Sequence, residues 1–154
     1  MKVEFLVDRP ELLDEVAELW LENLGKHWLP TLTKENAIEK FSSHLNKDTL
    51  PLTLLLTDNQ SLIGTVSLRK NDTINNDFTP WLASLVVHPN YQKQGIGRLL
   101  VEKIQQEAKR LGYSDLYLFT GDTSLSKWYE KLGWVIIGHE KVFDRDAIIM
   151  KSKL

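Results

Sequence analysis

The residues best suited to chemistry lie in one stretch, Leu85-Val86-Val87-His88-Pro89-Asn90-Tyr91-Gln92-Lys93-Gln94-Gly95-Ile96-Gly97-Arg98. An apolar run passes into a polar turn, then a turn with two glycines, then a helical pattern. A helix N-terminus leaves backbone N–H groups without partners and carries partial positive charge, so it attracts phosphate. Gly95 and Gly97 remove side chains where phosphates would approach the backbone, and Lys93 and Arg98 add positive charge. The loop suits a pyrophosphate. It is not a Walker loop, since no Gly-Lys-Ser/Thr follows, and it lacks the third glycine of the dinucleotide fingerprint. On spacing alone, a helix entry with glycines for tight packing explains it as well as a phosphate site does.

The elements that must position this loop follow from periodicity. Residues 2–7 alternate as a strand. Asp8 and Pro10 supply a helix start, and Leu13, Val16 or Ala17, Trp20 and Leu24 recur at helical spacing up to Gly25. After the expected loop K-H-W-L-P, Thr33 is a candidate N-cap for a second helix with the stripe Ala37, Ile38, Phe41 and Leu45. Strands are predicted near 52–57, 62–69 and 81–87, the first two joined by the turn Asp58–Ser61. The link from Lys70 to Pro80 is polar and reads as a mobile surface loop. A long helix from Ile96 to Leu111 ends at Gly112. A strand at 115–119, a helix at 124–132 and strands near 134–140 and 143–151 follow. The order predicts a single α/β (α+β) domain over residues 1–154, with helices on a mostly antiparallel sheet and at least one strand–helix–strand crossover.

Composition narrows the function classes. Nineteen basic and 21 acidic side chains give a net charge of −2, which is no footprint for a nucleic-acid binder. No apolar run approaches the ~20 residues of a membrane span, and the start lacks a signal-peptide pattern, so a cytoplasmic location is expected. The chain has no cysteine, which excludes disulfides, Cys-ligated zinc and a thiolate nucleophile. No metal is expected.

Q-K-Q-G-I-G at 92–97 resembles the Q/R-x-x-G-x-G/A signature of the GNAT superfamily of N-acetyltransferases. L-V-V-H-P before it, the long helix after it, W-Y-E-K-L-G-W at 128–134 and the closing A-I-I-M-K-S-K-L are similar to that family too. The resemblance covers essentially the whole chain. It implies a splayed sheet of about seven strands flanked by four helices. Acetyl-CoA would lie in the splay, its pantetheine arm pairing with the backbone of Leu85 and Val87 as an added strand. Its pyrophosphate would rest on the amides of Gln92, Lys93, Gln94, Gly95, Ile96, Gly97 and Arg98. A backbone N–H near Val86 would face the thioester carbonyl. Tyr129 would be the catalytic residue, protonating the departing thiolate; a phenol with pKa ~10 holds its proton at neutral pH.

The chain departs from the family pattern twice. Relatives often carry a carboxylate on the strand that here reads W-L-A-S-L-V-V, which has none. Ser84 could hold a relaying water, while Asp77 and Glu22 read better as solvated charges. Asp122 stands where relatives often have an asparagine that contacts the cofactor arm; an ionised carboxylate cannot donate, and Asp122 fits equally as an N-cap. The acceptor, a small-molecule amine, is expected beside His27, Trp28, Trp81 and Ser84, with Trp20 read as core. Without cysteine, direct attack by the amine in a ternary complex is the expected route. The oligomeric state is read as monomer or homodimer. The competing readings are a non-catalytic acetyl-CoA-binding module of the same fold and a nucleotide-phosphate binder.

Overall fold

A computed structural model describes residues 1–74 and 77–154. The strands are β1 (Lys2–Phe5), β2 (Leu52–Asp58), β3 (Ser61–Arg69), β4 (Trp81–Val87), β5 (Asp115–Thr120), β6 (Val135–Val142) and β7 (Arg145–Lys153). They form one sheet in the order β1-β2-β3-β4-β5-β7-β6. All neighbours are antiparallel except β4 and β5, the parallel pair that the crossover helix connects. The expected mixed, mostly antiparallel sheet is what the chain builds. The hairpin turns Asn59-Gln60 and Phe143-Asp144 have positive φ at both central residues, the twist that suits two-residue hairpins.

Four helices cover the sheet. α1 (Leu13–Trp20) is preceded by two short 3-10 turns and runs on through a wider π-type turn, Leu21–Gly25, into a last turn, Lys26–Trp28. The predicted stop at Gly25 is therefore wrong. Gly25 is helical (φ −58°, ψ −49°) and its missing side chain seats the Trp20 ring, which a Cβ would meet at 2.9 Å. α2 (Lys34–Ser42) opens on a capping box: Thr33 Oγ1 accepts from the Asn36 N–H and Asn36 Oδ1 accepts from the Thr33 N–H. α3 is Ile96–Arg110 and α4 is Thr123–Lys131.

Strand alternation distributes the core over both faces. Leu54, Leu56, Leu82 and Leu118 pack against Leu100 and Ile104 of α3 and Tyr129 of α4. Leu55 and Val86 point the other way, to Val16, Ala37 and Phe41 of α1 and α2. The Lys70–Pro80 link is not simply a surface loop. Asp72 and Ile74 are buried, and Thr79 Oγ1 donates to the Lys70 carbonyl at 2.6 Å; Asn75 and Asn76 lie outside the described residues. Among the described residues no helix is long and apolar enough to cross a membrane.

Candidate active site

The site begins where the sheet comes apart. β4 and β5 pair only at Trp81↔Tyr117, with the Tyr117 N–H donating to the Pro80 carbonyl at 3.0 Å. Beyond that point the β5-facing edge of β4 has no ladder partner among the described residues. The register of β4 with β3 also shifts between Thr65 and Ser67, placing Ser84 and Leu85 opposite a single residue. Ser84 adopts φ +55° at this bulge, a left-handed conformation that costs a non-glycine residue roughly 1–2 kcal/mol. A bulge bends its strand and re-aims neighbouring groups, and strained backbone of this kind clusters at functional sites. Leu85 and Val87 flank Val86 and turn toward α3, while Val86 is buried on the α1 side.

The loop after β4 is ordered by its own polar groups. His88 Nδ1 accepts from the Asn90 N–H at 3.1 Å, and Gln92 Nε2 donates to the Val87 carbonyl at 3.1 Å, tying the loop to the strand end. Lys93 (φ +63°) and Gly95 (φ +80°) turn the chain into α3. Gly95 is the N-cap residue and offers no side-chain cap, so the first N–H groups of α3 are left for another partner. A Cβ at Gly95 would meet no atom within 4 Å, so the space above this turn is open. Gly97 differs: its Cβ would touch the Trp128 ring at 3.4 Å, which makes it a packing glycine between α3 and α4. Ile96 is buried in the core, while Gln92, Lys93, Gln94 and Arg98 are exposed, Arg98 paired with Glu102 at 3.0 Å.

A cleft of about 460 Å³ occupies the gap, and Ser84, Leu85, Phe119, Thr120, Asp122 and Tyr129 line it. Tyr129 stands edge-on to Trp128 (4.9 Å) and Trp134 (5.7 Å). Its hydroxyl makes no hydrogen bond with any described residue. Burial pushes the phenol well above its ordinary pKa, so it keeps its proton. Asp122 is the N-cap of α4, its carboxylate accepting from the Ser124 N–H (2.7 Å) and Oγ (2.6 Å). Those hydrogen bonds hold its pKa below the usual carboxylate range.

The aromatic residues sort differently from expectation. His27 and Trp28 line the cleft from the last turn of α1, Trp28 edge-on to Phe119 at 5.3 Å. Gly121 makes room for that indole, which its Cβ would meet at 3.0 Å. Trp81 does not belong to this wall. It is fully buried beneath Tyr117 and Ile149, with Nε1 donating to the Phe78 carbonyl at 2.7 Å. The first residue of β4, at the point where the sheet still holds together, faces the core. Trp20 shows the converse, since it lines the cleft as well as packing on Phe41. Glu22 is exposed and paired with Lys26, Asp77 is exposed, and neither lines the cleft.

Sequence reasoning missed a charged group on the opposite wall: Lys40 of α2, Arg69 at the end of β3, and Asp72. Arg69 Nη1 lies 3.2 Å from Asp72 Oδ1. Burial raises the Asp72 pKa, with Arg69 and Lys40 pulling it back in part. Burial, reinforced by Arg69, pushes the Lys40 ammonium down to about 8. The only local signal was the opposite-charge spacing Arg69-x-x-Asp72; nothing nearby in sequence announces Lys40.

The family model for the acetyltransferase (GNAT) family matches residues 13–134, which hold the splay, the uncapped turn and the tyrosine together. The chain belongs to the GNAT family of acetyltransferases. Its GNAT fold is shared with an aminoglycoside 6'-N-acetyltransferase solved with coenzyme A, at TM-score 0.77 and 19% identity over 99% of this chain and 97% of that one. A ribosomal-protein-alanine N-acetyltransferase from Brucella melitensis aligns over 100% of both chains at TM-score 0.74 and 20% identity. In sequence, an amino-acid acetyltransferase of Pseudomonas putida is 34% identical over 61 residues, 40% of this chain and 14% of that protein. This GNAT chain thus matches only a small part of that relative's length.

Proposed function

We propose that the chain is an N-acetyltransferase that transfers the acetyl group of acetyl-CoA to a primary amine of a small molecule, by direct attack in a ternary complex. One observation carries this reading: Ser84 and Leu85, beyond the last β4–β5 pair, line one cleft with Tyr129, and the same strand runs on through a short loop into the uncapped start of α3. The fit to acetyl-CoA rests on the same features. The open space over Gly95 and the free N–H groups of α3 suit the pyrophosphate, with Lys93 and Arg98 beside it. The β4 edge from Leu85 to Val87 suits the peptide-like pantetheine arm.

Acetyl-CoA supplies an acetyl group activated as a thioester. The chain's own contribution is to align it with the amine, which lowers the barrier by removing translational and orientational freedom. A backbone N–H at the Ser84–Val86 bulge, held by the strained turn, donates to the carbonyl oxygen where negative charge grows. Tyr129, neutral and without an acceptor among the described residues, donates its proton to the leaving sulfur. Asp122 holds the start of α4, the helix that carries Tyr129, instead of donating to the cofactor. With no carboxylate on β4, the amine arrives neutral or loses its proton to water near Ser84. The enzyme is read as cytoplasmic, and as a monomer or homodimer.

Thiol release from acetyl-CoA with a panel of amines, with products identified by mass spectrometry, tests the proposal. Acetylated amine formed at the rate of thiol release supports it. A melting-temperature rise with acetyl-CoA but no transfer to any amine would leave the non-catalytic module as the better reading.

A further inference from the structure

The acceptor end of the cleft has a sign. Lys40 Nζ sits 4.8 Å from the centre of the Trp20 ring and 5.6 Å from that of Phe41. It makes no hydrogen bond or ion pair with any described residue. Among the described residues, only one of the Arg69 N–H donors is used, on Nη1 toward Asp72. Lys40 and Arg69 both line the cleft, together with Asp72, Thr73 and Asn23. Two cations thus face one carboxylate, and that carboxylate is already matched by Arg69. Asp122, at the cofactor side of the same cleft, is occupied by Ser124. An acceptor ammonium near Asp72 would also feel the charges of Lys40 and Arg69 on the same wall. The chain as a whole carries −2, so this positive wall is a local feature and not a consequence of overall charge.

We propose that Lys40 and Arg69 form a subsite for an oxyanion on the acceptor, so that the amine acetylated by this enzyme also bears a carboxylate or phosphate group. The inference rests on the acetyltransferase reading above. Arg69 presents its remaining fork of N–H groups, a geometry that matches an oxyanion; Lys40 adds a point charge. Asp72 holds the Arg69 side chain in place through the 3.2 Å contact. The Trp20 face holds the ammonium of Lys40 by a cation–π contact, keeping it at the wall when no acceptor is bound. At neutral pH Lys40, with its pKa near 8, is mostly charged. Polycationic acceptors are disfavoured by the same two groups.

The test is kcat/KM for 5-aminopentanoate, its amide, 1,5-diaminopentane and 2-aminoethyl phosphate, which separates carboxylate, neutral, cationic and phosphate arms on similar amines. Wild type should favour one of the anionic acceptors over the amide and the diamine by roughly ten- to a hundredfold, the scale of a charge-assisted contact. Lys40→Gln breaks no ion pair, so it tests the subsite without unpairing Asp72. It should raise KM for the anionic acceptor by about tenfold with little change in kcat, and Lys40→Arg should restore most of the loss. Preference for the diamine, or equal use of acid and amide, would overturn the subsite while leaving the transferase reading intact. If no amine is acetylated, the transferase reading fails and calorimetric titration of glutarate and inorganic phosphate decides the subsite. Binding that Lys40→Gln weakens supports it, and absence of binding to wild type sinks it.

Discussion

Replacing His44 with phenylalanine should remove a large part of the fold's sensitivity to acid. His44 is fully buried, with Nδ1 2.9 Å from Thr53 Oγ1 and Nε2 without a partner among the described residues. Burial above all, then the charges of Lys40 and Arg69, pushes its pKa from 6.5 down to about 3. The ring is therefore neutral in the folded chain at pH values where the unfolded chain binds a proton. Between those two values the unfolded state holds more protons, so stability falls as pH falls. The contribution is complete above about pH 6.5 and lost by about pH 3. The limiting slope is ~1.4 kcal/mol per pH unit, so going from about pH 7 to about pH 5 should cost wild type roughly 2 kcal/mol through this residue alone. Phenylalanine cannot titrate, and Thr53 keeps its 2.7 Å partner Ser67. Urea unfolding followed by tryptophan fluorescence at both pH values, for wild type and His44→Phe, measures the difference. Carboxylates titrate in both proteins and cancel. Loss of stability in parallel, within about 0.5 kcal/mol, would mean that the buried ring is already protonated or the site opens to water, and the reasoning would fail.

Tyr129→Phe should lower kcat by about a hundred- to ten-thousandfold while leaving acetyl-CoA affinity and the melting temperature close to wild type, as steady-state kinetics and thermal melts would show; unchanged turnover would demote Tyr129 to packing. Gly95→Val should cost at least ~1 kcal/mol from its positive φ, without a clash, and abolish the melting-temperature rise given by acetyl-CoA. An undiminished rise would place the pyrophosphate elsewhere. Glu22→Ala and Asp77→Ala should leave the rise of kcat/KM with pH unaltered, because neither side chain lines the cleft; loss of the rising limb in either would identify the base.

What could be read from the sequence was local. Q-K-Q-G-I-G places two glycines, a turn and a helix start within one short segment, so its chemistry does not depend on distant packing. Thr33 and Asp122 could be read as caps for the same reason: a cap bonds its own first turn. W-Y-E-K-L-G-W located Tyr129, and the strand–helix–strand order anticipated the parallel pair. The sequence could not decide which face of the molecule each residue would meet. Trp81 and Trp20 are both apolar residues in regular elements, yet the sheet buries the first and the cleft takes the second, because one precedes the splay and the other packs across it. The bulge at Ser84 depends on register with β3, and no pattern within β4 marks it. Lys40, Arg69 and Asp72 come from a helix, a strand end and a link, brought together only when α2 packs over the sheet. Their charges look like ordinary surface charges in the chain, and burial at the cleft is what shifts the pKa values of Lys40 and Asp72. Local spacing determined the two-glycine turn into α3; tertiary packing alone composed the charged wall of the cleft, since electrostatic neighbours across a cleft need not be neighbours along a chain.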